Sequence, residues 1–339
     1  MILSQEFPAP AAFVFDGKFI YNGRIKITRI KNMPQYSVGQ AIKGARIRKE
    51  IQQSILCDGI CSVATLSKIE NGQQNPSATV MEALLERLGL PVGLYNVPVT
   101  DIRFKRTLLE QQIIHSVAGL GTNIENLLKE YAELSEPMDK FEQQFYLYMT
   151  AIQKHLRKEP PQEILSFHIK AMKITFPKFT CEQLFAERYF TATELVILNN
   201  IALEERRLGH NEKAEKILYF LKNYYESEKL DESATEKEYP VILANLSDWL
   251  ESEGRFEEEY EIAKIGLDYC LKKGKLCLLD VMAFNTGYSL VNLGKKDEGI
   301  KYIDKALSIM DLKGQKERLQ KHIEYVRKII PYEMPAHKF

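Results

Sequence analysis

Long apolar runs are missing from this chain. No stretch of its 339 residues approaches the ~20 consecutive apolar residues that a membrane-spanning helix needs. The opening MILSQEF has no basic segment followed by an apolar run, so neither a membrane span nor a secretory leader is expected and the protein should stay in the cytoplasm. An excess of one charge is missing as well. The 46 basic and 46 acidic residues cancel, which leaves no global field toward nucleic acid or membrane, and any polyanion has to be met by a local patch. Cysteine is sparse and odd in number (Cys57, Cys61, Cys181, Cys270, Cys277), which argues for reduced thiols rather than a disulfide framework. Cys57 and Cys61 have the spacing of half a metal site, but no second Cys or His pair completes it, and apolar filler is the simpler reading. The six histidines are scattered, and neither a Gly-x-Ser-x-Gly elbow nor a phosphate-binding loop occurs. The acidic run Glu257 to Glu259 is read as a solvated helix face. No cofactor, metal or enzymatic constellation is expected.

What is present falls into four parts. Residues 1–36 hold short aromatic or β-branched runs (AAFVF, KFIY, RIKITRI) separated by Asp16-Gly17 and Asn22-Gly23, strong hairpin signals. They read as a small three-stranded meander, or as a poorly ordered leader ahead of a true start at Met33. Residues 37–90 read as short helices with tight breaks. Pro91, Gly93 and Pro98 mark a boundary that opens 91–117, a linker and linker helix, and 118–330 read as long amphipathic helices with polar turns and a C-terminal capping helix.

The sharpest break lies in LSKIENGQQNPS, residues 66–77, where a helical pattern stops at Asn71-Gly72 and reopens behind Pro76-Ser77. A reader of the DNA major groove needs such a short helix, held by a second one behind it and with sharp turns fixing the angle between them. Helix 1 is expected over Val38 to Glu50, helix 2 over Gln53 to Cys57, and the reading helix over Ser62 to Asn71, capped by Ser62 and closed by Gly72; Ser77 caps the next. Ile60, Leu66 and Ile69 face the core, leaving Ser62, Val63, Thr65, Ser67 and Lys68 to meet DNA, where small hydroxyls and one methyl-rich side chain can bond base edges or touch a thymine methyl. Lys43, Arg46, Arg48 and Lys49 are expected on phosphates.

The run LCDGICSVATLSKIENGQQNPSATVMEALLERLGL resembles the phage-repressor type of helix-turn-helix. By that resemblance Gln53, with Ser54 as the neighbouring alternative, contacts a phosphate or base. Against six bases from Ser37 to Leu90 stand five acids, so one copy should bind DNA feebly. A homodimer on a pseudo-palindromic operator of double-stranded DNA is therefore expected. The competing reading is a degenerate head that binds protein.

The later helices repeat. NNIALEERRLG, NLSDWLESEG and NTGYSLVNLG each run from an asparagine to a glycine nine residues on: Asn200 to Gly209, Asn245 to Gly254, Asn285 to Gly294. Each asparagine follows a valine (Val196, Val241, Val281) and precedes a small residue (Ala202, Ser247, Gly287). A glycine that stops one helix and a small residue that admits a second are the marks of stacked helix pairs. The pattern resembles the tetratricopeptide repeat, whose alanine five residues past the turn glycine is matched by Ala214 and Gly299 but not Glu259. The asparagine offsets of 45 and 40 residues exceed the ~34-residue ideal, so long loops such as SEKLDESATEKEYP are expected. The fold class is thus all-α: a helix-turn-helix bundle followed by a tetratricopeptide-like right-handed superhelix, with the possible meander at the start.

Helical spacing puts Val196, Asn200, Leu203 and Arg207 on one face, likewise Val241, Asn245 and Asp248, and Val281, Asn285 and Tyr288. An amide donates and accepts, so asparagines along a groove can grip a peptide main chain. Phe284, Tyr288 and the valines would form apolar pockets, and Asn199 can swap roles with Asn200. The alternative is that the amides only join neighbouring helices. As a whole the chain resembles the peptide-responsive Gram-positive regulators grouped as Rgg, Rap, NprR, PlcR and PrgX, in particular the PlcR-like and NprR-like members. That resemblance implies quorum-sensing transcription regulation, with a short linear signalling peptide held at Asn200, Asn245 and Asn285. A repressor whose repeat domain holds a protein partner instead is the rival reading.

Overall fold

The computed structural model describes residues 14–15, 18–21, 24–26, 38–90, 100–118, 123–181, 188–227 and 232–332. Near the start, β1 (Val14–Phe15), β2 (Lys18–Tyr21) and β3 (Arg24–Lys26) pair antiparallel in that order, with Phe19 opposite both Val14 and Lys26. The Asp-Gly and Asn-Gly turns between them, Met33 and the Pro91 to Pro98 boundary lie outside the described residues.

The head is built from α1 (Val38–Arg48), α2 (Gln53–Leu56), α3 (Val63–Glu70) and α4 (Ala78–Arg87). Ile42, Leu56, Ile60, Leu66, Ile69, Leu84 and Leu85 are its fully buried centre, so the three residues expected to face inward do so. Cys57 is buried among them and Cys61 packs against them. The break after α3 is a closed cap: Gly72 sits at φ +71°, its N–H bonds the Ile69 carbonyl at 3.0 Å and the Gln73 N–H bonds that of Lys68 at 2.8 Å, the paired bonds that satisfy a helix's last carbonyls. A Cβ on Gly39 would stand 1.9 Å from the Ile69 carbonyl oxygen, so α1 crosses α3 in backbone contact. Helix α1 ends earlier than expected, before Glu50, whose φ is +56°.

Helices α5 (Asp101–Ala118) and α6 (Ile124–Ala132) share a small core around Ile113, Leu128 and Tyr131. Four helical hairpins follow, α7 (Lys140–Leu156) with α8 (Pro161–Thr175), α9 (Ala192–Arg207) with α10 (Asn211–Glu226), α11 (Glu232–Ser252) with α12 (Phe256–Lys273), and α13 (Leu279–Asn292) with α14 (Lys296–Leu312), capped by α15 (Lys316–Val326). Each helix packs on the next in the chain, the arrangement of a solenoid. The turns after α9, α11 and α13 are alike: Gly209, Gly254 and Gly294 all have positive φ. The following N–H bonds the carbonyl five residues back at 2.9, 3.0 and 2.9 Å. Gly287 and Gly299 let α13 and α14 touch through their backbones, a Cβ on either meeting the other's carbonyl oxygen at 2.6 to 2.7 Å.

Two expectations need correction. The supposed loop SEKLDESATEKEYP is helical from Glu232 onward, and α11 continues through Pro240. Its Ala, Glu and Lys residues are good helix formers, so the larger repeat offset is taken up mainly by a longer helix. Glu259 is not on a solvated face. It is 0% exposed, because the register that turns Ala214 and Gly299 inward turns Glu259 inward too. Among the described residues no helix is long and apolar enough to cross a membrane.

Candidate nucleic-acid interface and inner wall of the array

On the head, α3 begins with Ser62, whose hydroxyl accepts from the Thr65 N–H at 3.0 Å and pairs with the Thr65 hydroxyl at 2.8 Å. Val63 is 46% exposed, Ser54, Arg48 and Lys68 are exposed, and Thr65 and Ser67 are half-buried. The outward face of α3 is therefore the one expected from spacing.

Behind it the expected phosphate contacts are rearranged. Arg46 does not project outward; its guanidinium grips Glu70 at 2.6 and 2.9 Å and the Ile51 carbonyl at 2.9 Å. Gln53 donates its amide to the same carboxylate at 2.7 Å. Burial alone would raise the Glu70 carboxyl, but the Arg46 and Gln53 bonds outweigh it and hold the group below its ordinary range. Glu70 thus pins α1 and α2 onto the end of α3, and Arg46 and Gln53 set the reading helix's angle. Lys43 is half-buried and bonds Asn71 at 3.0 Å.

The inner wall carries a second correction. Asn199 and Asn245 bond each other across α9 and α11 at 2.9 Å. Asn285, 4% exposed, donates to Ser247 at 3.1 Å and Asp248 at 3.0 Å, joining α13 to α11. Asn200 donates back to the Val196 carbonyl at 2.8 Å. The amides form a ladder between successive first helices of the hairpins, which spacing along a single helix does not reveal. Phe284 and Tyr288 are buried: His322 of α15 lies edge-on to Phe284 with centroids 4.6 Å apart, and Tyr325 stacks on Tyr288 at 5.1 Å. The Tyr325 hydroxyl also bonds Glu251 of α11.

Part of the face stays accessible. Val196, Asn200, Leu203, Val241, Asn245 and Val281 are half-buried, and Arg207 and Asp248 are exposed. Arg207 bonds Glu204 at 2.7 Å, which in turn bonds His155 of α7 at 2.7 Å. Asp248 is reached by solvent yet ringed by protein, and this partial desolvation raises its carboxyl, with the Asn285 bond opposing.

Residues 42–94 match the helix-turn-helix family. The crystal structure of Bacillus thuringiensis PlcR in complex with the peptide PapR7 and DNA aligns with a TM-score of 0.53 at 18% identity, covering 84% of this chain and 98% of PlcR. Apo PlcR gives 0.51 at 17% identity over the same shares. This chain has the fold of PlcR. The pheromone receptor Rgg2 of Streptococcus dysgalactiae aligns at a TM-score of 0.43 and 17% identity, covering 86% of this chain and all of Rgg2. A search of curated protein sequences gives no match.

Within this PlcR fold the head and array are joined by a buried ionic knot that the sequence did not suggest. Arg87, counted above among the head's bases, is 1% exposed. It donates to the Leu56 carbonyl at 3.0 Å and to that of Asp58, and faces Glu194 of α9 at 3.4 Å. Glu194 also accepts from Arg188 at 2.8 Å, Thr175 at 2.7 Å and the Thr191 N–H at 2.8 Å. Burial opposes its charge, and Arg87 and Arg188 outweigh burial, lowering its carboxyl from the usual range. Lys140 of α7 donates to the Gly59 carbonyl at 2.6 Å and to that of Ile60, and Thr79 donates to Asp139 at 2.7 Å. Phe141 and Tyr189 of the array pack on the head's core. A local signal was the capping box Thr191 to Glu194; the contacts between head and array join residues 60 or more positions apart and leave none.

Proposed function

We propose that this protein is a DNA-binding transcription regulator whose repeat array holds a short linear peptide that controls it. The observation that carries the first half is the outward face Ser62, Val63, Thr65, Ser67 and Lys68 on a head matched as helix-turn-helix. Support for the second half is that PlcR, whose fold this chain takes along 98% of PlcR's length, was solved with both a peptide and DNA. The peptide-holding wall runs from α7 to α11, through Val196, Asn200, Leu203, Arg207, Val241, Asn245 and Asp248. Asn199, Asn285, Phe284 and Tyr288 act as its scaffold. The weak net charge of the head favours a homodimer on a pseudo-palindromic site, working in the cytoplasm.

The DNA half is tested by selecting duplexes from a random pool and measuring affinity at two salt concentrations. Thr65→Ala should relax base preference by about 1–3 kcal/mol at one position. Lys68→Ala should instead weaken all sequences alike and reduce the salt slope by about 1. No sequence enrichment at all would remove the DNA reading. For the peptide half, random heptamers are panned on the full chain and on Leu203→Glu. A motif retained on the native wall and lost on the variant is expected. A second reading, a protein partner on the array, is favoured by Tyr325 and His322 covering the far end of the wall; it is the better one if no heptamer is retained.

A further inference from the structure

We propose that the cleft between the α2–α3 turn and the segment after α8 is a binding site for a small monocarboxylate with an apolar body. The cleft measures about 500 Å³ and is lined by Ile55, Asp58, Phe176, Pro177, Lys178 and Arg188 among others, within the range of small-molecule sites. Its walls are rigid. Gly59, at φ +71°, lies so close to α8 that a Cβ there would overlap the Thr175 carbonyl, and Lys140 holds the Gly59 and Ile60 carbonyls from the other side.

Its chemistry has two ends. One is apolar: Ile55 is 37% exposed beside Phe176 and Pro177. The other is cationic. Arg188 lies over the Phe176 ring at 4.1 Å, with its side chain only 7% exposed and its Nε–H without a hydrogen-bond partner among the described residues. Exposed Lys178 stands on the rim. Of the charged residues lining the cleft two are cations, Lys178 and Arg188, and one is an anion, Asp58, so a ligand anion is complementary.

The acidic end of a ligand already has a stand-in. The Asp58 carboxylate is 60% exposed, yet it is bonded to the buried Arg188. A carboxylate held at a cation in this way is replaceable by a ligand's own, which meets the guanidinium with the same fork geometry while its body covers Ile55, Phe176 and Pro177. Occupancy would exchange a head-to-array ion pair for a ligand contact. The site bears directly on the joint between the reading head and the array, and its test is independent of DNA or peptide binding.

The probes are octanoate and phenylacetate for free acids, N-acetyl-leucine for the end of a peptide chain, and octanamide and phenylacetamide as uncharged controls. Binding to the full chain is read by calorimetry and by the shift in melting temperature. Acids should bind and amides should not. Ile55→Asp should abolish binding, Lys178→Gln should weaken it several-fold, and Asp58→Asn, by removing the competitor, should tighten it several-fold. All three positions have accessible side chains, so folded variants are expected and circular dichroism checks each. Tighter binding of octanoate and phenylacetate than of N-acetyl-leucine marks a free acid as the ligand, and the reverse marks a peptide terminus. Equal response to acids and amides, no response to any acid, or an Asp58→Asn variant that binds more weakly overturns the proposal.

Discussion

Glu259 offers the most direct quantitative test of the array's construction. Its position five residues past the turn glycine is alanine in α10 (Ala214) and glycine in α14 (Gly299), and both are buried. Glu259 is buried equally, and neither carboxylate oxygen has a hydrogen-bond partner among the described residues. Burial first, then the charges of Glu251 and Asp248, push its carboxyl from 4.5 up to about 9. Between those two values the folded chain holds a proton that the unfolded chain has released, so stability falls as pH rises, beginning near the ordinary carboxyl value and levelling off above about 9. At pH 7 the cost is about 3 kcal/mol. Glu259→Ala, which copies Ala214, should recover about 1–3 kcal/mol at that pH, less whatever cavity it leaves, and raise the melting temperature by several degrees. Glu259→Gln should remove the part of the pH slope that lies above about 7, Glu86 being raised only to about 7, but gain less, because an amide without partners stays buried. Melting the full chain and both variants at pH 6 and pH 8.5 decides the matter. A native chain whose stability does not fall between those pH values, or an alanine variant less stable than the native at both, would refute the reasoning.

Other expected outcomes concern the junction and the ladder. Glu194→Gln leaves Arg87 buried without its counter-charge and Arg188 with Asp58 alone, and should destabilise the chain by about 3–5 kcal/mol in urea unfolding; a change below 1 kcal/mol would mean the knot is open in solution. Because the Glu194 carboxyl is lowered on folding, its contribution is present above the ordinary carboxyl range and should vanish as pH falls through its folded value, a dependence the glutamine variant lacks. Asn285→Ala should cost about 1–2 kcal/mol by removing two interhelical bonds, seen as a lower melting temperature. A variant that melts normally would show that the ladder at α13 does not contribute to stability.

Local signals carried much of the architecture. Ser62, Gly72 and Ser77 specified the ends of α3 and the start of α4 because caps act through neighbours in the chain. The three glycine turns specified the hairpins for the same reason. Two dipeptides allowed the meander as one of two readings, and the strands β1 to β3 are the part of it that the structure describes. What stayed hidden depends on partners far along the chain. Arg46 looks like a phosphate ligand until Glu70 folds back against it. Asn285 looks like a ligand grip until Ser247 and Asp248 are brought beside it. Periodicity can group asparagines on one helix face, but a face cannot say whether a neighbouring helix or open solvent stands in front of it. Glu259 shows the converse: an acidic run suggested a wet surface, and only the alignment with Ala214 and Gly299 pointed inward.

The geometry also suggests how an occupied wall would be felt at the head, because the same helices serve both. The start of α9 carries Glu194, which faces Arg87 and accepts from the Thr191 N–H, while its middle and end carry Asn200, Leu203 and Arg207 of the proposed wall. Helix α7 begins with Asp139 and Lys140 against the head and ends with His155 against Glu204. A ligand that draws α7 and α9 together therefore needs no relay through a chain of side chains; a small rigid tilt of two helices moves both ends at once. Switching from 1:99 to 99:1 requires about 5.5 kcal/mol of differential binding. Leaving a buried charge without its partner costs about 3–5 kcal/mol, comparable with that requirement, and we propose the knot around Glu194 as the element that an occupied wall would alter. Glu194→Gln should then do more than destabilise: it should shrink the effect of any retained peptide on DNA affinity.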